Sequence, residues 1–331
     1  MTTFPGLGAL SLADLQASIE PRLGQVETEM RRMIEADFPL ISDVNQHLMR
    51  MRGKMFRPTL VLLADEATGG PSPHGATLAA VIELIHLATL VHDDAVDHSV
   101  LRRGMPTINA LFSHQVSVIM GDFLYSRAVV ELVRFGDLGA LAILARVTNE
   151  MTIGEMRQLL AHDPLGFSEE QYDLLIKAKT ASLISGACEV GALTAPPQQR
   201  RALAQFGEKL GMAFQIVDDL LDYTSDESVT GKPSGIDLRE HKVTLPLIYA
   251  LPRFSAAERR GLEALLQNPS PADQEIAAVV ASVATHGGLE QARERAQRLV
   301  AEAEEVLGAL AETPARETLR ASLTYVLDRR R

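Results

Sequence analysis

The stretch ATLAAVIELIHLATLVHDDAVD, residues 76–97, decides the fold. It is apolar almost all round the helical wheel, and a helix of that kind is buried on every side. The sequence therefore predicts a central buried helix whose last turn is acidic.

The segments outside this stretch also repeat their apolar residues at helical spacing. Helices are predicted at about 117–135, 137–160, 168–193 and 197–223, with one long polar break, SDESVTGKPSGIDLREHK, at 225–242. Loops of this length inside compact domains are usually functional. Aromatic residues make up only 5% of the chain and no alternating strand pattern stands out, which favours helix packing. We predict one large all-α domain over residues 1–331.

Composition excludes several classes of protein. The chain has 32 Lys and Arg against 43 Asp and Glu, a net charge of −11 that disfavours binding to nucleic acid. Cys188 is the single cysteine, so no intrachain disulfide or cysteine metal site is possible. The longest run without charged residues, 104–121, is too polar for a membrane span. The first positive side chain is Arg22, so we expect no signal or transit peptide and a cytoplasmic protein.

Two acidic clusters share the pattern DDxxD, and each ends a strongly apolar helical run. At helical spacing the first and last carboxylates of a cluster lie one turn, about 5.4 Å, apart along the axis. At that separation they repel each other by roughly 3 kcal/mol, and the negative end of the helix dipole adds to the cost. A solvated acidic surface is the alternative for one cluster, but its repetition favours a cation, and oxygen ligands favour Mg²⁺. The clusters are Asp93, Asp94 and Asp97, and Asp218, Asp219 and Asp222.

Basic residues lie in the turns beside these clusters although the whole chain is acidic. Arg and Lys bind phosphate oxygens, and Mg²⁺ completes its shell with substrate phosphates, so this arrangement indicates a phosphate-bearing substrate. The basic residues are Lys54 and Arg57 in GKMFRP, Arg102 and Arg103 after the first cluster, and Lys232 and Lys242 in the polar break.

These motifs resemble the trans-type isoprenyl diphosphate synthases, the polyprenyl synthetase family. The resemblance covers about residues 50–255 in family order, through GKMFRP, ELIHLATLVHDDAVDHSVLRRGMPT, GDFLYSRA, KAKTAS, FQIVDDLLDY and GKPSGIDLREHKVTLPLIYA. It implies an all-α bundle around a central cavity, usually a homodimer, and a prenyltransferase that joins isopentenyl diphosphate to an allylic diphosphate. One departure is His241, where the family more often has Gly before the Lys.

The resemblance also implies a role for individual residues. The isopentenyl diphosphate site comprises Lys54, Arg57, His86 and Arg103. Contacts to the allylic diphosphate come from Arg102, Lys179, Thr180, Gln215, Lys232 and Lys242. Three Mg²⁺ ions per active site are held by Asp93, Asp97, Asp218 and Asp222, and the catalytic set is Asp93, Asp94, Asp97, Asp218, Asp219 and Lys179.

The expected reaction is ionisation of the allylic diphosphate, attack on the allylic cation by the isopentenyl double bond, and proton loss to the departing pyrophosphate. His86 is the tempting general base, but a lone His in an apolar helix is more often a hydrogen-bonding residue. The alternatives are an HD-type metal phosphohydrolase, based on the His92–Asp93 doublet, a terpene cyclase, and a regulatory subunit of a heteromeric synthase. The second DDxxD disfavours the first two, and two intact motifs disfavour the third.

The product length is predicted from the residues just before the first cluster. Thr89 and Ala88 lie one turn below Asp93 and are small, whereas short-chain members of the family carry bulky aromatics hereabouts. The same stripe continues through Ile85, Ile82 and Leu78. We predict a long-chain product of the heptaprenyl to decaprenyl class, with a short-chain farnesyl or geranylgeranyl diphosphate synthase as the alternative.

Overall fold

The computed structural model describes residues 10–51, 53–159, 165–224 and 235–329, and these residues form an all-α fold. Apart from a short hairpin, every regular element is a helix, as the sequence predicted. The helices are α1 (Leu12–Gln16), α2 (Glu20–Ile34), α3 (Pro39–Arg50), α4 (Phe56–Ala67), α5 (Gly75–Val96), α6 (Ile108–Leu111), α7 (His114–Phe135), α8 (Leu138–Leu159), α9 (Glu169–Ile176), α10 (Ser182–Gly191), α11 (Pro197–Thr224), α12 (Ile236–Arg239), α13 (Leu245–Ala250), α14 (Ala256–Gln267), α15 (Asp273–Thr285), α16 (Gly288–Leu307) and α17 (Pro314–Leu327). Short 3-10 segments span Ala17–Ile19 and Leu251–Arg253, a π-helical segment spans Lys177–Ala181, and the strands are β1 (Leu101–Arg102) and β2 (Met105–Pro106).

Helix α5 is the central helix, as predicted. It packs against α2, α4, α7 and α10, and its side chains from Leu78 to Ile85 are buried. By length and composition α5 is the one helix of the described residues that could cross a membrane, but 61% of its most apolar window is buried within the bundle. That burial is typical of the core helix of a globular protein.

Helix α11 provides the second long wall of the site. It packs against α10 on one side and α16 on the other, and α17 lies across α4 and α11. Because α10 also contacts α5, the two helices that carry the acidic clusters belong to one packed body. The first cluster lies at the end of α5, and the second lies in the last two turns of α11.

The hairpin of β1 and β2 follows the first cluster, where the sequence predicted only a loop. Leu101 pairs with Pro106 and Arg102 with Met105, so Arg103 and Gly104 form a two-residue turn. Both turn residues have positive φ, 54° and 75°, as tight hairpins of this kind require. The turn fixes where two predicted phosphate-binding arginines lie.

Segment 168–193 is not the single regular helix that its sequence predicts. It begins with Ser168, whose hydroxyl caps α9, but the π-helical segment Lys177–Ala181 separates α9 from α10. Such bulges insert an extra residue into a helical turn and often occur at functional sites. This one carries Lys179 and Thr180.

Candidate active site

The first acidic cluster offers two carboxylates to the site. Asp93 is partly buried and Asp97, the residue that ends α5, is exposed. Burial raises the pKa of Asp93 to about 6, with Glu155 and Asp97 acting in the same direction and Lys179 opposing them. Asp93 is therefore a carboxylate that binding of a cation would stabilise in its charged form.

The middle residue of this cluster has another partner. Asp94 is 3% exposed, and both of its oxygens accept 2.9 Å hydrogen bonds from Arg102 Nε. Arg102 Nη2 lies 2.8 Å from Asp94 Oδ1 as well. Asp94 orients Arg102, because residue i+1 of a helix points about 100° away from residue i, and the catalytic role predicted for Asp94 stays a prediction.

The second cluster divides in the same way. Asp218 is exposed, whereas Asp219 is 4% exposed and accepts hydrogen bonds from Tyr172 Oη (2.6 Å) and Gln215 Nε2 (2.8 Å). Burial raises the pKa of Asp219 to about 8. Asp219 therefore faces the protein interior, and the catalytic role predicted for it stays a prediction.

Asp222, predicted as a metal ligand, caps the short helix α12. Its Oδ1 accepts a 3.0 Å hydrogen bond from the backbone N–H of Ile236 and its Oδ2 a 3.1 Å bond from that of Asp237. The chain that returns after the polar break hydrogen-bonds to Asp222, whereas Asp97 is exposed, and the metal-ligand role predicted for Asp222 stays a prediction. Asp222 thus positions residue 237.

Lys179 lies between the first cluster and α8. Its Nζ is 2.6 Å from Glu155 Oε1, 3.1 Å from Gln158 Oε1 and 4.0 Å from Asp93 Oδ2. Thr180, the next residue of the π segment, donates a 2.8 Å hydrogen bond to Gln215 Oε1. The structure thus brings three of the predicted diphosphate contacts to the space between α5, α8 and α11.

A second group of basic residues lies beside α5, one turn or more before the acidic cluster. Arg57 Nη1 donates a 3.1 Å hydrogen bond to His86 Nε2, and Arg103 Nη1 donates a 2.7 Å bond to the carbonyl of Met51. Burial, followed by the charge of Arg57, lowers the pKa of His86 well below its ordinary value. His86 is therefore a neutral hydrogen-bond acceptor at rest, and Lys54 lies exposed in the turn before α4.

The turn before α13 brings Lys242 to the site. Burial lowers the pKa of Lys242, but its 2.6 Å ion pair with Glu240 and the charges of Asp237 and Asp97 raise it, so Lys242 lies within electrostatic reach of Asp97 in the first cluster. His241 has φ of 58°, the left-handed conformation that Gly adopts without strain, and its Nε2 lies 2.9 Å from the carbonyl oxygen of Asn268. Lys232 lies outside the described residues.

Two residues of the site were missed by the sequence reasoning. Glu83 is 7% exposed. Burial raises its pKa, and the positive charges of Arg57 and Arg103 partly offset that increase. Asp237 is also largely enclosed, and burial raises its pKa to about 7. Glu83 could have been noticed in the sequence, because it is a lone charged residue in an apolar helix, one turn before His86. No sequence feature distinguished Asp237 from the other polar residues of the break.

The donor set fits Mg²⁺ bound together with a substrate. No group of three or more His, Cys, Asp or Glu in the described part of the chain forms a ready-made cage. Mg²⁺ usually takes one or two protein carboxylates and completes its octahedron with waters and phosphates. Asp93 and Asp97 at the end of α5 and Asp218 on α11 provide such carboxylates, and Lys179 Nζ lies 4.0 Å from Asp93 Oδ2.

Helices α5 and α11, each ending in an acidic cluster, with basic residues in the turns between them, define an all-α isoprenoid synthase-like enzyme. The model of the polyprenyl synthetase family matches residues 38–283. The chain belongs to the polyprenyl synthetase family and is a prenyltransferase of isoprenoid biosynthesis.

Relatives and solved structures cover nearly the whole chain. Octaprenyl diphosphate synthase of Escherichia coli (strain K12) is 35% identical over 296 residues, 89% of this chain and 91% of that protein. A short chain isoprenyl diphosphate synthase of Methanothermobacter thermautotrophicus is 37% identical over 86% of this chain and 89% of its own length. The polyprenyl synthase of Caulobacter crescentus, crystallised with calcium and isoprenyl diphosphate, superposes with a TM-score of 0.91 at 32% identity, covering 98% of this chain and all of that one.

Proposed function

We propose that this chain is a Mg²⁺-dependent polyprenyl diphosphate synthase that adds isopentenyl diphosphate units to an allylic diphosphate and makes a long-chain trans product of the heptaprenyl to decaprenyl class. The observation that carries the proposal is that Lys179 Nζ lies 4.0 Å from Asp93 Oδ2, while Lys242 is within electrostatic range of Asp97 and Asp237, and Asp237 is within range of Asp218. A divalent cation and isoprenyl diphosphate in the Caulobacter crescentus relative support it.

The two acidic clusters receive the diphosphate of the allylic substrate. Mg²⁺, three ions per site in this proposal, would be held by Asp93, Asp97 and Asp218, and would neutralise the diphosphate and its charge as a leaving group. Lys179 and Arg102 bind the same diphosphate, and their carboxylate partners, Glu155 and Asp94, keep both cations in place before substrate arrives.

The basic group beside α5 receives isopentenyl diphosphate. Arg57 and Arg103 supply the charge, and His86, held neutral, supplies a directed imidazole edge. Arg57 Nε is buried without a hydrogen-bond partner among the described residues, so this guanidinium has a donor to offer to an anion.

Pyrophosphate is the base of the proposed mechanism. His86 already accepts a hydrogen bond from Arg57, and a positive charge on it would add to two neighbouring arginines. The allylic diphosphate leaves as pyrophosphate, the isopentenyl double bond attacks the cation, and the released anion removes the proton. This assignment separates acid–base chemistry from His86 and gives His86 a binding role.

The product length rests on the residues of α5 below Asp93. Ala88 is 2% exposed and Thr89 is partly buried, and the stripe continues inward through Ile85 and Ile82, both buried. Octaprenyl, heptaprenyl and nonaprenyl diphosphate synthases are among the relatives, which supports the long-chain class beside one short-chain enzyme of similar identity. Two small side chains at this depth favour the long product.

A homodimer is the proposed assembly, because α7 and α8 expose apolar side chains along their length. Such a stripe on a globular protein marks an interface, and a second copy of the same stripe buries it with two-fold symmetry. Leu138→Lys and Val133→Lys should give a monomer by light scattering, whereas the wild-type protein should be a dimer. The exposed side chains include Ile119 (63%), Val133 (64%), Leu138 (80%), Met156 (53%) and Leu159 (56%). We further propose that residues 1–331 act as one cytoplasmic domain without a membrane segment.

One assay tests the function. The purified chain is incubated with Mg²⁺, isopentenyl diphosphate and a farnesyl or geranyl primer, and the products are sized by chromatography. Products of seven to ten isoprene units are expected. Farnesyl or geranylgeranyl diphosphate as the end product would favour the short-chain alternative, and diphosphate release without chain growth would favour the phosphohydrolase. Activity that needs a second subunit would favour a regulatory role.

A further inference from the structure

Four side chains of the site form a continuous chain of three hydrogen bonds. Tyr172 Oη donates to Asp219 Oδ2 (2.6 Å), Gln215 Nε2 donates to Asp219 Oδ1 (2.8 Å), and Thr180 Oγ1 donates to Gln215 Oε1 (2.8 Å). Each oxygen of Asp219 and each end of the Gln215 amide thus has a partner. Tyr172 lies on α9, and Thr180 lies on the π-helical segment that directly follows it. The hydrogen bonds therefore join these two consecutive segments to α11 at two positions.

The helix becomes irregular between these two positions. The π-helical segment begins at Lys177, and Lys179 and Thr180 lie in its middle. A regular α-helix through this region would rotate both side chains to other directions, so the bulge decides where they point.

Two glycines on neighbouring helices let the bulge approach closely. A Cβ at Gly211 of α11 would lie 2.6 Å from Ala181 Cα, and a Cβ at Gly154 of α8 would lie 3.0 Å from Ala178 Cβ. The bulge is therefore confined on two sides by backbone, and the hydrogen-bond chain fixes it along the remaining direction.

We infer that Tyr172 is a positioning residue that acts through Asp219 and Gln215 to hold Thr180, and with it Lys179, in place for the allylic diphosphate. This inference rests on the proposed function, which gives Lys179 and Thr180 that substrate. Burying a tyrosine hydroxyl against a buried carboxylate costs desolvation free energy, and apolar residues of the same volume would fill the same space without that cost. The directional hydrogen bonds offset this cost if they are needed to hold Lys179 in one orientation.

The Tyr172→Phe variant tests the inference, because it removes one oxygen atom and leaves the ring in place. The KM for the allylic primer should rise roughly three- to tenfold, the effect of one lost hydrogen bond of this kind. The KM for isopentenyl diphosphate should stay within about twofold, since Arg57, His86 and Arg103 belong to the other part of the site. The matched control is Tyr223→Phe, which removes a similarly buried hydroxyl that accepts a 3.3 Å bond from Thr244.

A double-mutant cycle with Thr180→Val separates positioning from general destabilisation. If the four residues act as one unit, the Tyr172→Phe change should add little to the KM of the Thr180→Val variant. Asp219→Asn, whose amide can accept from only one of its two donors, should reproduce the effect of Tyr172→Phe and covers the case in which that variant does not fold. Additive effects, or equal changes in the KM values of both substrates, would overturn the inference. A wild-type chain that condenses neither substrate would instead contradict the proposed function.

Discussion

The guanidinium of Arg329 lies 3.2 Å from Asp218 Oδ1 and 3.9 Å above the ring centroid of Phe214. The residue follows the last helix, α17, and its side chain is only 11% exposed. Nε and Nη1 of Arg329 are buried without a hydrogen-bond partner among the described residues. The guanidinium of Arg329 thus pairs with Asp218, the carboxylate to which the proposed function assigns a metal ion.

The Arg329→Gln variant should bind the activating metal more readily. Asp218 cannot give the same oxygen fully to Arg329 and to Mg²⁺, so loss of the arginine removes a competitor. A partly exposed ion pair contributes up to about 1 kcal/mol, so we expect the half-saturating Mg²⁺ concentration in the condensation assay to fall by about threefold. Arg320→Gln is the control, because Arg320 lies on α17 but pairs with Glu317 on the surface. A higher Mg²⁺ requirement in the Arg329 variant would mean that this arginine helps to bind substrate.

Alanine at Asp93 or at Asp218 should leave the fold intact and reduce the rate of condensation by about 100-fold or more. Asp93 has a pKa of about 6 because its burial disfavours its charge, so its removal relieves a cost in the free protein. Asp43→Ala, at an exposed position of α3, is the control for an ordinary surface carboxylate. Thermal denaturation and initial rates give the two readouts. Near-normal turnover of either variant at saturating Mg²⁺ would rule out the metal assignment.

The metal-free protein should become less stable as the pH rises from about 5 to about 8. Burial raises the pKa values of Asp93, Asp237 and Asp219 to about 6, 7 and 8. In this range the folded chain holds protons that the unfolded chain has lost, so the free energy of unfolding falls with rising pH. The melting temperature in EDTA should drop by roughly 5 °C between the two pH values.

Two further measurements check that explanation. Asp219→Asn removes the carboxyl with the highest pKa and should flatten the upper part of the profile, whereas Asp43→Asn should leave it unchanged. The lowered pKa of Glu258, about 2, acts only in more acidic solution, whereas the lowered pKa of His86 partly opposes the trend below about pH 6.5, so the fall in stability should be clearest above that pH. A melting temperature that rises towards pH 8 in EDTA would contradict the raised pKa values.

Arg103→Ala should mainly weaken the binding of isopentenyl diphosphate. The hairpin turn holds Arg103 at φ of 54° and its guanidinium against Gly53, so the charge has a fixed place. Arg103 is exposed in the free protein, and loss of one hydrogen bond to a charged group costs at least about 1.5 kcal/mol, so the KM for this substrate should rise by about tenfold or more. The control is Arg50→Ala, an exposed arginine of α3. The assigned role is wrong if that KM does not change.

The central helix and the two acidic clusters were predictable because they are local features. Continuous apolar character identifies a buried helix, and the DDxxD spacing by itself places the first and last carboxylates on one face. The same geometry indicates that Asp94 and Asp219 point elsewhere. Their partners, Arg102 in a hairpin and Tyr172 on α9, depend on tertiary contacts that no local pattern carries.

The π segment was not predictable for the same reason. The residues 168–193 are compatible with an uninterrupted helix, and nothing in KAKTAS marks an extra residue in the turn. The bulge depends on the room that Gly154 and Gly211 leave on two other helices. Arg329 was equally hidden, since a surface location is the ordinary expectation for an arginine that follows the last helix.

Replacing Ala88 or Thr89 with Phe should shorten the main product. Both residues lie on α5 one turn before Asp93, Ala88 is buried, and Thr89 donates a 2.8 Å hydrogen bond to the carbonyl of His86. A prenyl tail that extends from the diphosphate must pass them on its way along the stripe of Ile85 and Ile82, and an aromatic ring fills that path. Thr89→Val, which keeps the volume and loses the hydroxyl, should leave the product distribution of the wild-type enzyme unchanged. The products are sized after complete extension of the primer, and melting curves confirm that each variant is folded. If the wild-type enzyme already stops at farnesyl or geranylgeranyl diphosphate, or if the folded Phe variants make the wild-type product, these two side chains do not lie on the path of the growing prenyl tail.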